Sequence, residues 1–132
     1  MLDRIDSYLA PNVKALNLRA YRSGVIAGNI ANADTPHYKA RDFDFRTAMA
    51  GAIQTADLRL ARTDGSHLDP KALAAGGPRL QYRTPVQSSI DGNTVEMDAE
   101  VGRFSDNAMR YQAALTFTNS RIRTLQTALQ GQ

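Results

Sequence analysis

Apolar residues recur with helical spacing near both ends of the chain, and this spacing is lost in the middle. Near the N-terminus, apolar or small residues alternate three and four positions apart, as on a packed helix face. They are Val13, Leu16, Ala20, Ser23, Ala27 and Ile30. A second stripe lies on another side of the same helix: Leu18, Tyr21, Val25, Gly28 and Asn32. Since one neighbour needs one stripe, two stripes predict at least two neighbours.

Two prolines affect the expected course of this N-terminal helix, one within it and one after it. Because an interior proline kinks a helix, Pro11 predicts a bend or a break near Ala10. Pro36 cannot continue a helix and biases the residue before it toward an extended conformation. Asn32 or Asp34 can adopt the left-handed conformation that closes a helix. The sequence therefore predicts that the helix stops before Pro36.

A longer stripe near the C-terminus indicates a coiled-coil type of helix, because it keeps its register for more than four heptads. Its members are Met97, Val101, Phe104, Ala108, Tyr111, Leu115, Thr118, Ile122, Leu125 and Leu129. Asn93 is the expected N-cap, and Glu96 stands three residues later, as in a capping box. Met109 and Phe117 fall at heptad positions that usually face water, which favours contacts outside a simple pair of helices.

The middle of the chain has weaker patterns. Phe45, Met49 and Ile53 predict one short helix, and residues 58–60 and 80–82 alternate as edge strands do. The expected fold class is mainly α, with long N- and C-terminal helices paired as a coiled-coil hairpin. Between them we expect a short extended or loop region with room for a small β-hairpin. We expect one domain over 1–132, divided into 1–35 (helix), 36–92 (loop and irregular middle) and 93–130 (helix).

The composition of the chain excludes several kinds of chemistry and site. The chain has 132 residues, a net charge of +3 and no cysteine, which excludes disulfides, thiolate catalysis and cysteine-based zinc sites. The first residues have neither a basic nor an apolar region, so no cleaved signal peptide is expected. No apolar run approaches the ~18 residues that a membrane span needs.

Candidate catalytic chemistry is sparse. His37 and His67 lie outside any nucleophile-elbow context, and no phosphate-binding glycine motif is present. Asp64, His67 and Asp69 could meet a metal ion, but a polar turn is the favoured interpretation. Basic residues are spread along the helices and not clustered with aromatic residues, which disfavours specific nucleic-acid binding. We expect no enzyme activity, no cofactor and no small-molecule substrate.

The segment that follows the first helix, NIANADTPHYKARDFDF (29–45), is too specific for a plain solvent loop. We call residues 29–45 the signature segment. After its stop signal it carries three apolar anchors, Tyr38, Phe43 and Phe45, on extended chain. They can pin the segment onto its own helices or dock it on a neighbouring copy. The physics of the sequence leaves both alternatives open.

The signature segment resembles the N-terminal signature of bacterial flagellar axial proteins, and its YKARDFDF ending is similar to that of proximal-rod basal-body proteins. YRTPVQSSIDGNTVEMDAE and NAMRYQAALTFTNSRIRTLQTAL resemble the C-terminal region of the same family. By this likeness Asn29, Asn32, Thr35, Pro36 and Tyr38 belong to the signature, while His37 stands where the family usually has glycine.

The resemblance implies a structural subunit of the flagellar basal body. Such proteins pair their terminal helices around a central export channel and leave the cell through the flagellar type III export apparatus, without a cleaved signal peptide. The implied place is the periplasmic rod, and the implied partners are other copies, other rod proteins, and the MS ring with its adaptor. The expected subunit-interface residues are Leu18, Tyr21, Val25, Asn29, Asn32, Thr35, Pro36, Tyr38, Phe43, Phe45, Met109, Leu115, Phe117 and Ile122.

A soluble helical adaptor is the alternative hypothesis. It would bind a partner or nucleic acid as a coiled coil, and the basic pI of about 9.5 is the feature that favours it. The two apolar stripes and the signature segment favour the rod subunit.

Overall fold

The computed structural model describes residues 2–54, 77–87 and 89–131, which form three helices and two short strands. In chain order these elements are α1 (Leu2–Ala31), β1 (Arg41–Asp42), α2 (Phe45–Gln54), β2 (Gln81–Tyr82) and α3 (Met97–Gln130). The two long helices make most of the contacts between elements. They run antiparallel, and the predicted mainly-α hairpin is confirmed.

Members of the two stripes on α1 contact different neighbours, while Val13, Ala20 and Ala27 of the first stripe are exposed. Ser23, from the first stripe, accepts a hydrogen bond at 2.8 Å from Asn107 of α3. Tyr21, from the second, packs its ring 5.8 Å from that of Phe43, between β1 and α2. Ile26 lies between the stripes and is fully buried. α1 is therefore the central element, in contact with α3, α2 and β1.

The expected break near Ala10 is wrong, because α1 is continuous from Leu2 to Ala31 with Pro11 inside it. Proline removes one backbone hydrogen bond, but packing against α3 supports the helix on both sides of it. Before Pro11, the guanidinium of Arg121 lies 5.3 Å from the ring centroid of Tyr8. After Pro11, Asn107 of α3 donates a hydrogen bond to the carbonyl of Arg19 at 2.9 Å.

The turn after α1 differs from the expected one. Neither Asn32 nor Asp34 is left-handed; among the described non-glycine residues only His37 has a positive φ, of 62°. Asn32 instead donates from Nδ2 to the carbonyl oxygen of Gly28 at 2.8 Å and so satisfies one of the free carbonyls of the last helical turn. The helix does end before Pro36, at Ala31, which confirms the predicted stop.

Asn93 holds the turn that follows α1, and the prediction that it caps the start of α3 is wrong. Its buried Nδ2 lies 3.1, 2.6 and 3.0 Å from the carbonyl oxygens of Asn32, Ala33 and Thr35. The N-cap of α3 is Glu96, which makes no side-chain capping bond. The side chain of Asn93 thus joins two segments that are about 60 residues apart in the chain.

The small sheet contains one predicted strand and one unexpected partner. β2 confirms the strand expected at 80–82, and it pairs antiparallel with β1, with Arg41 opposite Tyr82 and Asp42 opposite Gln81. Residues 58–60, the other expected strand, lie outside the described residues. The short helix expected around Met49 is confirmed as α2.

The seam predicted for α3 is only partly the face that packs against α1. Its first apolar members remain 44, 48 and 39% exposed; they are Met97, Val101 and Phe104. The buried positions of α3 are Glu100, Asn107 and Thr118. Glu100 and Asn107 form hydrogen bonds with α1. Because these bonds place the polar side of α3 against α1, the apolar stripe lies beside the contact.

Burial is concentrated at one end of the hairpin. Among the described residues, the buried ones lie within 26–43 and 93–107, with Thr118 as the exception. In 119–131 only Leu125 is even partly buried among the described residues. The far end of the hairpin therefore has little packing to support it.

We expect hydrogen exchange on the isolated protein to follow this gradient. Amides in 26–29 and 100–107 should exchange slowly and those in 121–130 rapidly, because a helix gains most of its stability from its packed face. Exchange followed by mass spectrometry would measure both regions in one experiment. Uniform protection along α3, in a sample that light scattering shows to be monomeric, would contradict this expectation.

Candidate subunit interface

A buried asparagine joins α1 to the signature segment. Asn29 is fully buried; its Nδ2 donates to the carbonyl oxygen of Arg41 at 2.8 Å, and its Oδ1 accepts from the amide of Arg41 at 3.0 Å. The side chain thus pairs with the backbone of β1 as a neighbouring strand would. Nδ2 also donates to Oε2 of Glu100 at 3.1 Å. One amide group therefore connects α1, β1 and α3.

A network of five charged side chains surrounds this amide. Arg22 binds Asp42 through two bonds, Nε to Oδ1 at 3.0 Å and Nη2 to Oδ2 at 2.7 Å. Arg83 contacts the carboxylates of both Asp42 and Glu100. Arg103 donates to Oε1 of Glu100 at 2.7 Å. The nearly inaccessible Glu100 carboxylate is thus paired with two guanidinium groups, as a buried charge requires. We call these five residues and Asn29 the polar junction.

The junction also sets the protonation of its partly buried members. Burial alone would raise the pKa of Asp42, but the bonds from Arg22 and from the Phe43 amide, with the charges of Arg22 and Arg83, lower the pKa instead. The hydrogen bond to Asp42 raises the pKa of Arg22. Both directions favour the charged pair.

The middle of the signature segment lies between two other parts of its own chain. On one side, the amide of Thr94 donates to the carbonyl of Tyr38 at 3.1 Å, and the Thr94 hydroxyl accepts from the amide of Ala40 at 2.8 Å. On the other side, the amide of Arg83 donates to the carbonyl of Ala40 at 2.9 Å. Ala40 is fully buried. The backbone here is therefore pinned within the chain.

His37 provides the left-handed turn at the position where the family resemblance implies glycine. Its φ is 62°, a conformation that histidine adopts more readily than bulky or β-branched residues do. Its amide donates to the carbonyl of Asp91 at 3.1 Å. Its ring lies against Gly92, where an added Cβ would be 3.0 Å from Nδ1. The close approach, together with the positive φ of 74° at Gly92, favours glycine opposite this histidine.

The aromatic anchors of the signature segment differ in exposure. Phe43 is 4% exposed and packs within its own chain. Phe45 begins α2 and is partly buried under the guanidinium of Arg19, 4.2 Å from the ring centroid. Tyr38 is partly buried. In this conformation Phe43 and Asn29 have almost no surface left for a neighbour, whereas Tyr38 and Phe45 keep some.

The remaining candidate interface residues keep part of their surface free. Those that are partly buried are Leu18, Val25, Asn32 and Leu115. Those that are exposed are Tyr21, Thr35, Pro36, Met109, Phe117 and Ile122. Met109 and Phe117 are each 68% exposed, in agreement with their heptad positions.

Three exposed apolar residues, one in β2 and two in the loop between β2 and α3, were not among the candidates. Tyr82, Val86 and Ile90 are 73, 92 and 107% exposed. The carboxylate of Glu96 accepts from the amide of Val86 at 2.8 Å and holds that part of the loop beside the start of α3. Their signal in the sequence is the presence of large apolar side chains in an otherwise polar, turn-rich segment.

The parts of the chain that the structure describes contain neither a cluster of metal-ligating side chains nor a helix suited to span a membrane. Over 2–54, 77–87 and 89–131, no three metal-ligating side chains come together. In those same ranges no helix combines the length and the apolar character that a membrane span requires.

We expect Asn29→Ala to lower the free energy of unfolding by about 2–4 kcal/mol, because it leaves the Arg41 backbone and a Glu100 oxygen without their partner, at about 1–3 kcal/mol for each unsatisfied group. Urea unfolding followed by circular dichroism would measure it. Asn17→Ala is the matched control, since Asn17 is exposed on the same helix; it should change stability by less than about 0.5 kcal/mol. Equal effects of the two variants would contradict the role of Asn29.

We also expect Asp42 to contribute to acid unfolding. Its pKa is lowered in the folded chain, so its stabilising effect is present above the ordinary pKa of an aspartate, about 3.9, and is lost as the pH falls toward the lower folded value. Asp42→Asn should be less stable at neutral pH and should lose less stability on acidification. Parallel stability–pH curves for the wild type and the variant would show that Asp42 has no such role.

Several known proteins are similar in sequence to the chain over nearly its whole length. No protein-family model matches the chain. A protein of Salmonella typhimurium is 43% identical over 136 aligned residues, 99% of each chain. One of Escherichia coli is 44% identical over 98% of each chain, and one of Cereibacter sphaeroides is 45% identical over 94%. All three are named flagellar basal body rod protein FlgB. The chain therefore belongs to the FlgB family of flagellar basal body rod proteins, which are structural subunits and not enzymes.

Proposed function

We propose that the chain is a subunit of the proximal rod, which assembles through the exposed faces of its two long helices into a tube. In this role the tube transmits torque and encloses the export channel. The observation that carries the proposal is the run of large apolar side chains that remain exposed along both helices. They are Tyr8, Val13 and Tyr21 on α1, and Met97, Val101, Phe104, Met109, Phe117, Ile122 and Leu129 on α3.

This pattern of exposure suits a protein that completes its packing with neighbours. Single exposed apolar residues are ordinary on a monomer, but a series along two helices leaves apolar area that an assembly would cover. Burial of apolar surface yields roughly 25 cal/mol per Å². The side chains are also spread around α3, since Met109 and Phe117 lie away from the stripe that contains Phe104. Several neighbours around each subunit would explain this arrangement.

The structure of the signature segment reduces the number of its residues that can contact a neighbouring subunit. Asn29 and Phe43 are buried in their own chain, so we assign them to the fold of the subunit. Tyr38 and Phe45 remain candidates for contact with a neighbour. The exposed candidates, such as Thr35, have the most surface to offer.

The proposed partners follow from the family and from the uncovered helix faces. They are other copies of the chain, other rod proteins, and the MS ring with its adaptor. We further propose that the chain passes through the flagellar type III export apparatus, without a cleaved signal peptide, to the periplasmic part of the basal body. The alternative of a soluble helical adaptor has only the basic pI in its favour.

We expect Phe117→Glu to abolish swimming in a strain in which it replaces the wild-type chain. Because Phe117 is 68% exposed, the variant should keep the unfolding midpoint of the isolated wild type, while a charge in an interface between subunits is costly. Phe117→Leu is the matched control and should swim. Motility in soft agar and the protein content of purified basal bodies would be measured. Normal swimming of Phe117→Glu would exclude this face from the assembly.

A further inference from the structure

Asn107 of α3 combines full burial with a polar atom that lacks a partner among the described residues. Its Nδ2 donates to the carbonyl oxygen of Arg19 at 2.9 Å and to the hydroxyl oxygen of Ser23 at 2.8 Å, both on α1. Because a carbonyl can only accept, this contact determines which end of the amide group faces α1. The other end, Oδ1, has no hydrogen-bond partner in the part of the chain that the structure describes. A buried acceptor of this kind lowers the stability of the fold.

The two groups of α1 that Asn107 contacts do not depend on it. The carbonyl of Arg19 lies inside α1, where each carbonyl accepts from the amide four residues later. The hydroxyl of Ser23 can donate to the carbonyl four residues earlier, which is that of Arg19. Asn29 differs, because its loss leaves the backbone of Arg41 without a partner. An apolar residue with the shape of Asn107 would therefore leave no polar group of α1 unsatisfied and would remove the unpaired acceptor.

The orientation of α3 about its own axis depends on Asn107. The first members of the apolar stripe, Met97, Val101 and Phe104, lie about a quarter of a turn around the helix from Asn107, at ~100° per residue. Rotation of α3 by that amount would place the stripe against α1 and bury more apolar surface, which the hydrophobic effect favours. The same rotation would carry the amide of Asn107 away from Arg19 and Ser23. We call the observed arrangement the outward orientation and the rotated one the inward orientation.

The polar junction holds α3 at its beginning only. Glu100 lies in the first turn and bonds to Asn29 of α1 at 3.1 Å. Asn107, seven residues later, makes the last hydrogen bonds between the two long helices among the described residues. Further along, the guanidinium of Arg121 lies 5.3 Å from the ring centroid of Tyr8, a contact that a long side chain can keep when the helix rotates. One fixed point lets a helix twist and tilt about it, whereas two points two turns apart define its orientation.

We infer that Asn107 is a positioning residue, which holds α3 in the outward orientation at a cost in stability. A buried asparagine has this effect in coiled coils, where it specifies one arrangement over more stable alternatives. In the inward orientation the subunit would be autoinhibited, because α1 of the same chain would cover the apolar stripe. The use of the stripe by neighbours rests on the proposed function, whereas the orientation of α3 does not.

The cost in stability is tested by Asn107→Leu, with Asn17→Leu as the matched control. Leucine has the branching of asparagine and a higher helix propensity, and the control carries the same gain in propensity at an exposed position of α1. Urea unfolding of the isolated protein would be followed by circular dichroism. We expect a higher unfolding midpoint for Asn107→Leu than for Asn17→Leu. A midpoint equal to that of the control, or below it, would overturn the inference.

The orientation itself is tested by thiol labelling, since the chain has no cysteine of its own. Val101→Cys places a reporter in the stripe, where the native side chain is 48% exposed. Met109→Cys is the control reporter; Met109 is 68% exposed and lies about 200° around α3 from Asn107, outside the contact in either orientation. Adding Asn107→Leu should slow the reaction of Val101→Cys with a maleimide several-fold and leave that of Met109→Cys unchanged. Equal rates for Val101→Cys with and without Asn107→Leu would overturn the inference.

A motility assay connects the orientation to the proposed function. Asn107→Leu should swim less than the wild type although it is more stable, because the stripe is covered within the subunit. Normal swimming of Asn107→Leu would overturn the inference and leave the proposed function intact. Absence of the wild-type chain from purified basal bodies would overturn the proposed function and leave the labelling result unaffected, since labelling uses the isolated protein.

Discussion

The burial of two polar side chains, Asn29 and Glu100, is the constraint on which the rest of the structure depends. A buried amide and a buried carboxylate must both be satisfied, because an unpaired one costs several kcal/mol. The hydrogen-bonding groups of the Asn29 side chain find partners when the backbone of β1 lies alongside α1. The charge of the Glu100 carboxylate is paired when Arg83, next to β2, lies within reach. These demands set the position of α3 on α1. They also leave the apolar stripe of α3 beside the contact and open to solvent.

The sequence predicted the elements that depend on local physics. The long helical periodicity predicted both long helices, and Pro36 predicted where the first one stops. The predicted ends lie within four residues of those observed. The sequence did not predict which face of α3 is buried. Periodicity detects apolar residues, and it cannot show that the charge of Glu100 is paired and therefore allowed to be buried. Nor could the sequence predict that Asn93 binds the turn after a helix about 60 residues earlier, since capping rules assume the nearest helix. For the candidate site, Phe117 was predicted to be exposed, whereas Asn29 proved to be internal.

In one region of the chain the buried polar groups have hydrogen-bond partners, and in another region large apolar side chains remain exposed. In the polar junction and the signature segment, nearly every buried donor and acceptor has a partner within the chain, so this region specifies one register of the helices. A register error would separate Asn29 from Arg41 and leave charges unpaired. Along the helices the opposite holds, since apolar side chains such as Phe104 remain partly exposed. The first region defines the subunit, and the second leaves surface for neighbours.

The hydroxyl groups on α3 favour contact at its far end, where packing within the subunit is weakest. Thr116, Thr124 and Thr127 each donate to the carbonyl four residues earlier, at 3.0 Å. Because these hydroxyls are already bonded, a neighbouring helix need not supply new partners when it covers them, and burial costs less than it would for free hydroxyls. These threonines expose mainly their methyl groups, and Arg123 lies on the same side of the helix. Close packing by a neighbour can therefore stabilise this part of the helix without any specific polar contact.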